Sequence, residues 1–269
     1  AVVRIATLLT DFGTRGPYAA AMKGVLHRVS PGVLIEDLSH DVPAHDVLTG
    51  AFVLAHSAPY FPPGTVHVIV IDPGVGTERA ILAAHCGGHI FLAPDNGVLT
   101  LVAETMGLES IVTVQNVERI SGPRTSRTFQ GRDVFAPLAG QILNGLDPRR
   151  LGPQPGTYKV LDLPKPEPRG REIVGQVVYV DGFGNLVTNI PEALLVRSRW
   201  DLRALKVTCG QHELVGLRDT YAAAQPGQPL ALTDSMGRLE LAVNQGRACD
   251  LLQAGVGTQV RVQPAHGES

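Results

Sequence analysis

Cysteine is scarce in this chain: Cys86, Cys209 and Cys249 are the only three in 269 residues. They are odd in number, far apart and in no CxxC arrangement. That excludes a disulfide framework or a zinc knuckle and points to a reducing compartment, taken here as the cytoplasm. Apolar runs stop at strand length, as at residues 66–71, well short of the ~18 residues a spanning helix needs, so no membrane partner is expected. No signal peptide is expected from the N-terminal stretch, which reads at once as a strand, Val2-Val3-Arg4-Ile5. Neither sign of charge dominates: 23 Lys and Arg face 25 Asp and Glu, a net charge of −2. A nucleic-acid partner held by a broad basic face is therefore not expected. Nucleotide motifs are missing as well. The runs at Gly74-Val75-Gly76 and Gly182-Phe183-Gly184 lack the third glycine of GxGxxG, and no GxxxxGK[ST] occurs. Asp11-Phe12-Gly13 lacks the HRD that accompanies a kinase DFG.

The chain is instead rich in turn formers, with 30 glycines and 20 prolines, against a usual ~12% for the two together. Short apolar runs at residues 5–9, 33–35, 66–71, 90–93 and 111–114 alternate with helix-like stretches near 19–29, 47–55 and 96–106. Such alternation predicts an α/β domain, a mainly parallel sheet with flanking helices, over residues 1–152. Five prolines between 153 and 168 predict a stiff linker over 153–171. Beyond it, residues 172–269 read as strands with glycine turns, predicting a smaller β-barrel or sandwich.

In an open parallel sheet, ligands bind beyond the carboxyl ends of strands. Two N-terminal strands end there in an acid followed by glycine: LLTDFG at Asp11 and VIDPGVGTER at Asp72. A lone strand-end aspartate more often caps a turn; two in one domain favour a site. Arg79 stands seven residues after Asp72, close enough for the loop to fold back and pair them, which would keep the carboxylate ionised and aimed. The bland alternative is a surface ion pair worth under ~1 kcal/mol. His40, Asp41, His45 and Asp46 could ligate a metal, but no HExxH-like spacing supports it. In the second domain Asp181-Gly182-Phe183-Gly184-Asn185 adds an aromatic that can stack on a base and an amide able to read an adenine edge. A glycine-rich β-turn would look the same.

Five motifs in order, LLTDFG, VIDPGVGTER, APDNG (residues 93–97), TFQGRDVFAP (128–137) and VDGFGNLVTNI (180–190), with SMGRLELAVN at 235–244, resemble the S-adenosyl-L-methionine (SAM) hydrolase (adenosine-forming) family. These are the SAM hydroxide adenosyltransferases, relatives of fluorinases and chlorinases. The resemblance implies a homotrimer with sites between one subunit's N-terminal domain and its neighbour's C-terminal domain. It also implies metal-free hydrolysis of SAM to adenosine and L-methionine, with SAM the substrate and no cofactor. Carried onto this chain, Asp11 would hold the ribose hydroxyls, Asn185 the adenine edge, and Phe183 the base pocket. Asp181 would pair with the methionine ammonium, and Ser235 with its carboxylate. Asp72 and Arg79 match two members of an Asp-Arg-His water-handling triad. The third position, before GRD, is here Gln130.

An amide at 130 can orient water but cannot relay a proton as histidine does. Gly131 stands where the fluorinase-like branch has a halide-binding serine and the chlorinase-like branch a glycine; Met236 replaces an arginine of the fluorinase branch. A chloride beside Asp72 would be repelled by roughly 4 kcal/mol at 4 Å for an effective dielectric of 20. The alternatives to hydrolysis are a chlorinase-type halogenase, a SAM- or adenosine-binding protein without turnover, and, more distantly, a metal-dependent phosphohydrolase.

Overall fold

A computed structural model of the chain describes residues 3–122, 126 and 128–264. It divides into two units, Ala1–Leu161 and Asp162–Ser269. The first unit runs β1 (Ile5–Thr10), α1 (Tyr18–Val29), β2 (Leu34–Ser39), α2 (Val47–Ser57), β3 (Val66–Val70), β4 (Ile81–Cys86), β5 (His89–Pro94), α3 (Thr100–Met106), β6 (Leu108–Thr113), α4 (Val117–Ser121) and α5 (Ala136–Leu143). Its sheet has the order β2-β1-β3-β5-β4-β6. β1 pairs in parallel with β2 and β3, and β3 with β5, whereas β4 is antiparallel to β5 and β6. Both faces of the central strands are covered, which is why Val66–Val70 is buried throughout and, but for His67, aliphatic. On one face Ala6, Leu8, Val66 and Val68 pack with Met22, Val25 and Leu26 of α1 and Leu138, Ala139 and Ile142 of α5.

The N-terminal strand starts at Ile5; Val2, from which the sequence pattern would begin it, lies outside the described residues. β4 is not anticipated by the pattern because Ile81-Leu82-Ala83-Ala84 follows the glycine-rich loop without a turn signal of its own. The helix anticipated from residue 96 starts at Thr100. Before it, Asn96 donates its side-chain Nδ2 to the Ile71 carbonyl at 2.8 Å and is committed to holding a strand end. β1 and β3 are neighbours, while the chain leaves β1 towards β2 on the other side. The sheet therefore reverses direction between β1 and β3, the topological switch point at which open α/β sheets take ligands.

The second unit runs β7 (Glu167–Arg169), β8 (Glu172–Val180), β9 (Leu186–Pro191), α6 (Glu192–Arg197), β10 (Leu205–Cys209), β11 (His212–Val215), β12 (Leu217–Arg218), β13 (Pro229–Thr233), β14 (Arg238–Val243), α7 (Ala248–Leu251) and β15 (Gln259–Pro264). Its strands order as β11-β10-β15-β8-β9-β14-β13-β12, a barrel-like sheet with β7 on the side of β8. Ile173, Val177, Leu186, Ile190, Val207, Leu239, Leu241, Val260 and Val262 fill its interior. The short helices α6 and α7 are additions to the all-β expectation. Two tight connections matter below: residues 181–185 between β8 and β9, and residues 234–237 between β13 and β14.

Candidate active site

In the first unit the carboxyl ends of β1 and β3 carry Asp11 and Asp72, and the register that pairs Thr10 with Val70 puts these exits side by side. The chain leaves β3 through a compact double turn: Val75 N–H donates to the Asp72 carbonyl at 3.2 Å and Thr77 N–H to that of Gly74 at 3.1 Å. Gly76 sits at φ +83, where a side chain would be strained. The turn brings Arg79 back over Asp72. Arg79 Nε donates to Oδ1 at 3.0 Å and Oδ2 at 2.9 Å, Nη2 also reaches Oδ2, and Gly74 N–H donates to Oδ1 at 3.1 Å. The two side chains are only 4% and 8% exposed, so this is no solvated surface pair. Removal from water makes each partner depend on the other.

The third member comes from far along the chain. Arg79 Nη2 donates to Gln130 Oε1 at 2.5 Å, and Gln130 is buried. Because its oxygen faces the guanidinium, its Nε2 hydrogens are the part left to offer to anything else. Gln130 stands directly before a single π-helical turn, Gly131–Phe135. Such turns shift helix register and recur at functional sites. Gly131 is also a close approach: a β-carbon there would lie 2.9 Å from Met22 Sδ and 3.4 Å from Phe12 Cζ and Phe129 Cε2. A serine at this position therefore requires Met22 to move.

Asp11 is held by residues that the sequence grouped as a metal candidate. Its Oδ2 accepts from the His45 backbone N–H at 2.8 Å and lies 3.9 Å from His45 Nδ1. Asp46 caps α2 instead, accepting from Thr49 N–H at 2.9 Å. His40 faces Thr10 at 2.7 Å. These side chains diverge, and among the described residues no group of three or more His, Cys, Asp or Glu could hold a metal ion. The sequence gives Asn96, His40 and His45 no role at Asp11 or Asp72: Asn96 is marked only by standing within APDNG, and the two histidines only by their metal-like pattern.

In the second unit Asp181 organises its own turn. Oδ1 accepts from the backbone N–H groups of Phe183 and Asn185, both at 2.9 Å, and Oδ2 from Asn185 Nδ2 at 3.0 Å. Asn185 is thereby buried and fixed, while Phe183 projects from the turn, 78% exposed. Asp234 does the same for the other turn, its Oδ1 accepting from Met236 N–H and Arg238 N–H, both at 2.8 Å, and presents Ser235 at the tip.

Beside these turns lies a buried acid that stands within SMGRLELAVN but to which the sequence assigns no role. Glu240 on β14 accepts from the Tyr221 hydroxyl at 2.9 Å. Burial pushes its pKa up to about 7, and the charges of Asp181 and Asp234 act in the same direction against the Tyr221 hydrogen bond. Burial and the Glu240 carboxylate likewise raise the Tyr221 phenol. A carboxyl that holds its proton more tightly folded than unfolded loses stability as pH rises from its ordinary 4.5 towards 7. Glu240→Gln, which keeps an acceptor for Tyr221, should therefore gain thermal stability over the parent at pH 8 and lose most of that advantage at pH 4.5. Scanning calorimetry at the two pH values checks this; an equal difference at both would exclude Glu240 as the titrating group.

Comparison with known proteins agrees with these motifs. Residues 6–152 match the family model of the SAM hydroxide adenosyltransferase N-terminal domain, and residues 175–261 that of its C-terminal domain. The chain is 40% identical over 256 residues to an (R)-S-adenosyl-L-methionine hydrolase of Salinispora arenicola, covering 94% of this chain and 95% of that one. A fluorinase of an Actinoplanes species is more distant, at 28% identity over 272 residues, covering 89% and 91%. Among solved structures, an uncharacterized conserved protein from Thermotoga maritima superposes with a TM-score of 0.88 at 36% identity, covering 96% of this chain and 99% of that one.

Proposed function

The chain belongs to the SAM hydroxide adenosyltransferase family, and from that premise we propose that it hydrolyses SAM to adenosine and L-methionine by in-line attack of water on the ribose C5′. The observation that carries the mechanism is the buried Asp72–Arg79–Gln130 chain at the switch point of the sheet. The attacking water donates one proton to Asp72 and accepts a hydrogen bond from Gln130 Nε2. The new C5′–O bond forms as the C5′–S bond breaks, its electron pair returning to sulfur. The leaving group is then the neutral methionine thioether, so no acid need protonate it and no Lewis acid need polarise it. Asp72 takes the proton that the water loses, which makes the attacking oxygen more hydroxide-like. Arg79 keeps the carboxylate aimed, and the remaining work is orientation and removal of the water's own shell.

In this reading Asp11 holds the ribose hydroxyls, Phe183 stacks on the adenine and Asn185 reads its edge. Asp181 adds the methionine ammonium to the three hydrogen bonds it already accepts. Ser235 takes the methionine carboxylate, with Met236, whose backbone N–H is held by Asp234, beside it in the same turn, and Gly131 lines the space around the nucleophile. The enzyme acts as a homotrimer with catalytic sites completed by neighbouring copies, uses no cofactor, and works in the cytoplasm, where its three unpaired cysteines remain reduced. No helix among the described residues is long and apolar enough to cross a membrane.

The test is incubation with SAM in H2(18O). Label in the adenosine 5′-hydroxyl, with turnover unaffected by EDTA, is the expected result. A 5′-chloro nucleoside formed with added chloride would make the protein a halogenase. Intact SAM that still raises the melting temperature would make it a binding protein. Gln130→His should leave turnover unchanged or raise it, because an imidazole can accept from Arg79 and exchange a proton near neutral pH. A sharp drop would show that the outward amide donor is itself required.

A further inference from the structure

His40 is a buried titratable group that this mechanism leaves unused. Its ring stands between two elements of the first unit. Nδ1 lies 2.7 Å from Thr10 Oγ1, and Nε2 lies 3.0 Å from Asp37 Oδ1 on β2. Thr10 is fully buried and His40 nearly so. Thr10 Oγ1 also accepts from the Phe12 backbone N–H at 3.3 Å, so the hydroxyl ties the strand-end turn to the ring whichever of the two atoms donates to the other. Asp37 Oδ1 faces Nε2 without the geometry of a hydrogen bond, which makes that contact chiefly electrostatic. Asp37 in turn pairs with Lys23 Nζ at 2.6 Å. Burial alone would raise its pKa, but Lys23 and His40 outweigh it and hold the carboxyl below its ordinary range.

The backbone repeats the same tie. Gly13 N–H donates to the His40 carbonyl at 2.7 Å, and His45 N–H to Asp11 Oδ2 at 2.8 Å. Residues 10–13 are thus gripped at Thr10, Asp11 and Gly13 by one stretch, 40–45. A buried polar chain adds little net stability over apolar packing, but it does impose direction.

We propose that His40 is a positioning residue for the reaction: through Thr10 it sets the strand-end turn on which Asp11 meets the substrate's ribose. The proposal rests on the ribose-binding reading of Asp11.

The experiment uses adenosine, which reports that contact without turnover, in titration calorimetry on the full chain, with KM and kcat for SAM alongside. Thr10→Val and His40→Gln should weaken adenosine binding and raise KM by about tenfold, the size of one lost buried hydrogen bond, while kcat moves less than about threefold. Thr10→Ser keeps the hydroxyl, and His40→Asn keeps an acceptor in the place of Nδ1; both should bind adenosine close to the parent. Equal losses in His40→Gln and His40→Asn would overturn the proposal, as would parent-like affinity in Thr10→Val and His40→Gln when Asp11→Asn has lost binding. If Asp11→Asn also binds adenosine normally, the ribose reading falls and the proposal falls with it. Should His40→Gln fail to fold, the Thr10→Val and Thr10→Ser pair decides alone.

Discussion

Replacing Asp72 by asparagine should lower kcat for SAM hydrolysis by about 10²–10³-fold while SAM binding changes by less than about threefold. The substitution keeps the shape of the side chain and removes its capacity to take a proton; general-base contributions of ~10²–10⁴ are usual. Asparagine can still accept from Arg79 with its oxygen. Its amide would then face the water as a second donor beside that of Gln130, leaving the nucleophile no acceptor. Single-turnover kinetics together with equilibrium binding separate the two effects. A comparable fall in affinity and rate would show that Asp72 only holds the ligand.

Arg79→Met is expected to act on stability as strongly as on rate. It strands the buried Asp72 carboxylate and removes the donor to Gln130 Oε1. Breaking one side of a buried pair typically costs ~3–5 kcal/mol, or a first thermal transition lower by roughly 10 °C in a unit of this size. Scanning calorimetry of the parent and the variant measures the loss; if removing the Asp72 charge as well does not lessen it, lost packing against Phe135, whose ring lies 6.0 Å from Arg79 Cζ, is the main effect. In the double variant with Asp72→Asn the losses should be less than additive, since the uncompensated charge is gone.

The pairing of Asp72 with Arg79 is legible in the sequence because a short turn with Pro73, Gly74 and Gly76 leaves the chain few ways to run. The alternation of strands and helices is legible for a similar reason: burial on both faces of β3 writes itself as a run that is aliphatic but for His67. The turns at 181–185 and 234–237 are likewise local, each built by one aspartate accepting from the next few backbone N–H groups. β4 and the role of Asn96 are not legible, since their partners lie elsewhere in the sheet.

By itself, then, the sequence determined the α/β class, the barrel-like second unit and the acid-bearing strand ends, all properties of neighbouring residues. Only the tertiary structure decided that Gln130, 51 residues from Arg79, turns its oxygen towards that guanidinium. It alone turned a metal-like His/Asp cluster into a clamp on residues 10–13. It alone buried Glu240 beneath Tyr221. Each of these depends on strand order, register and the packing of distant segments, and the same local pattern is compatible with many such arrangements until the core closes and selects one.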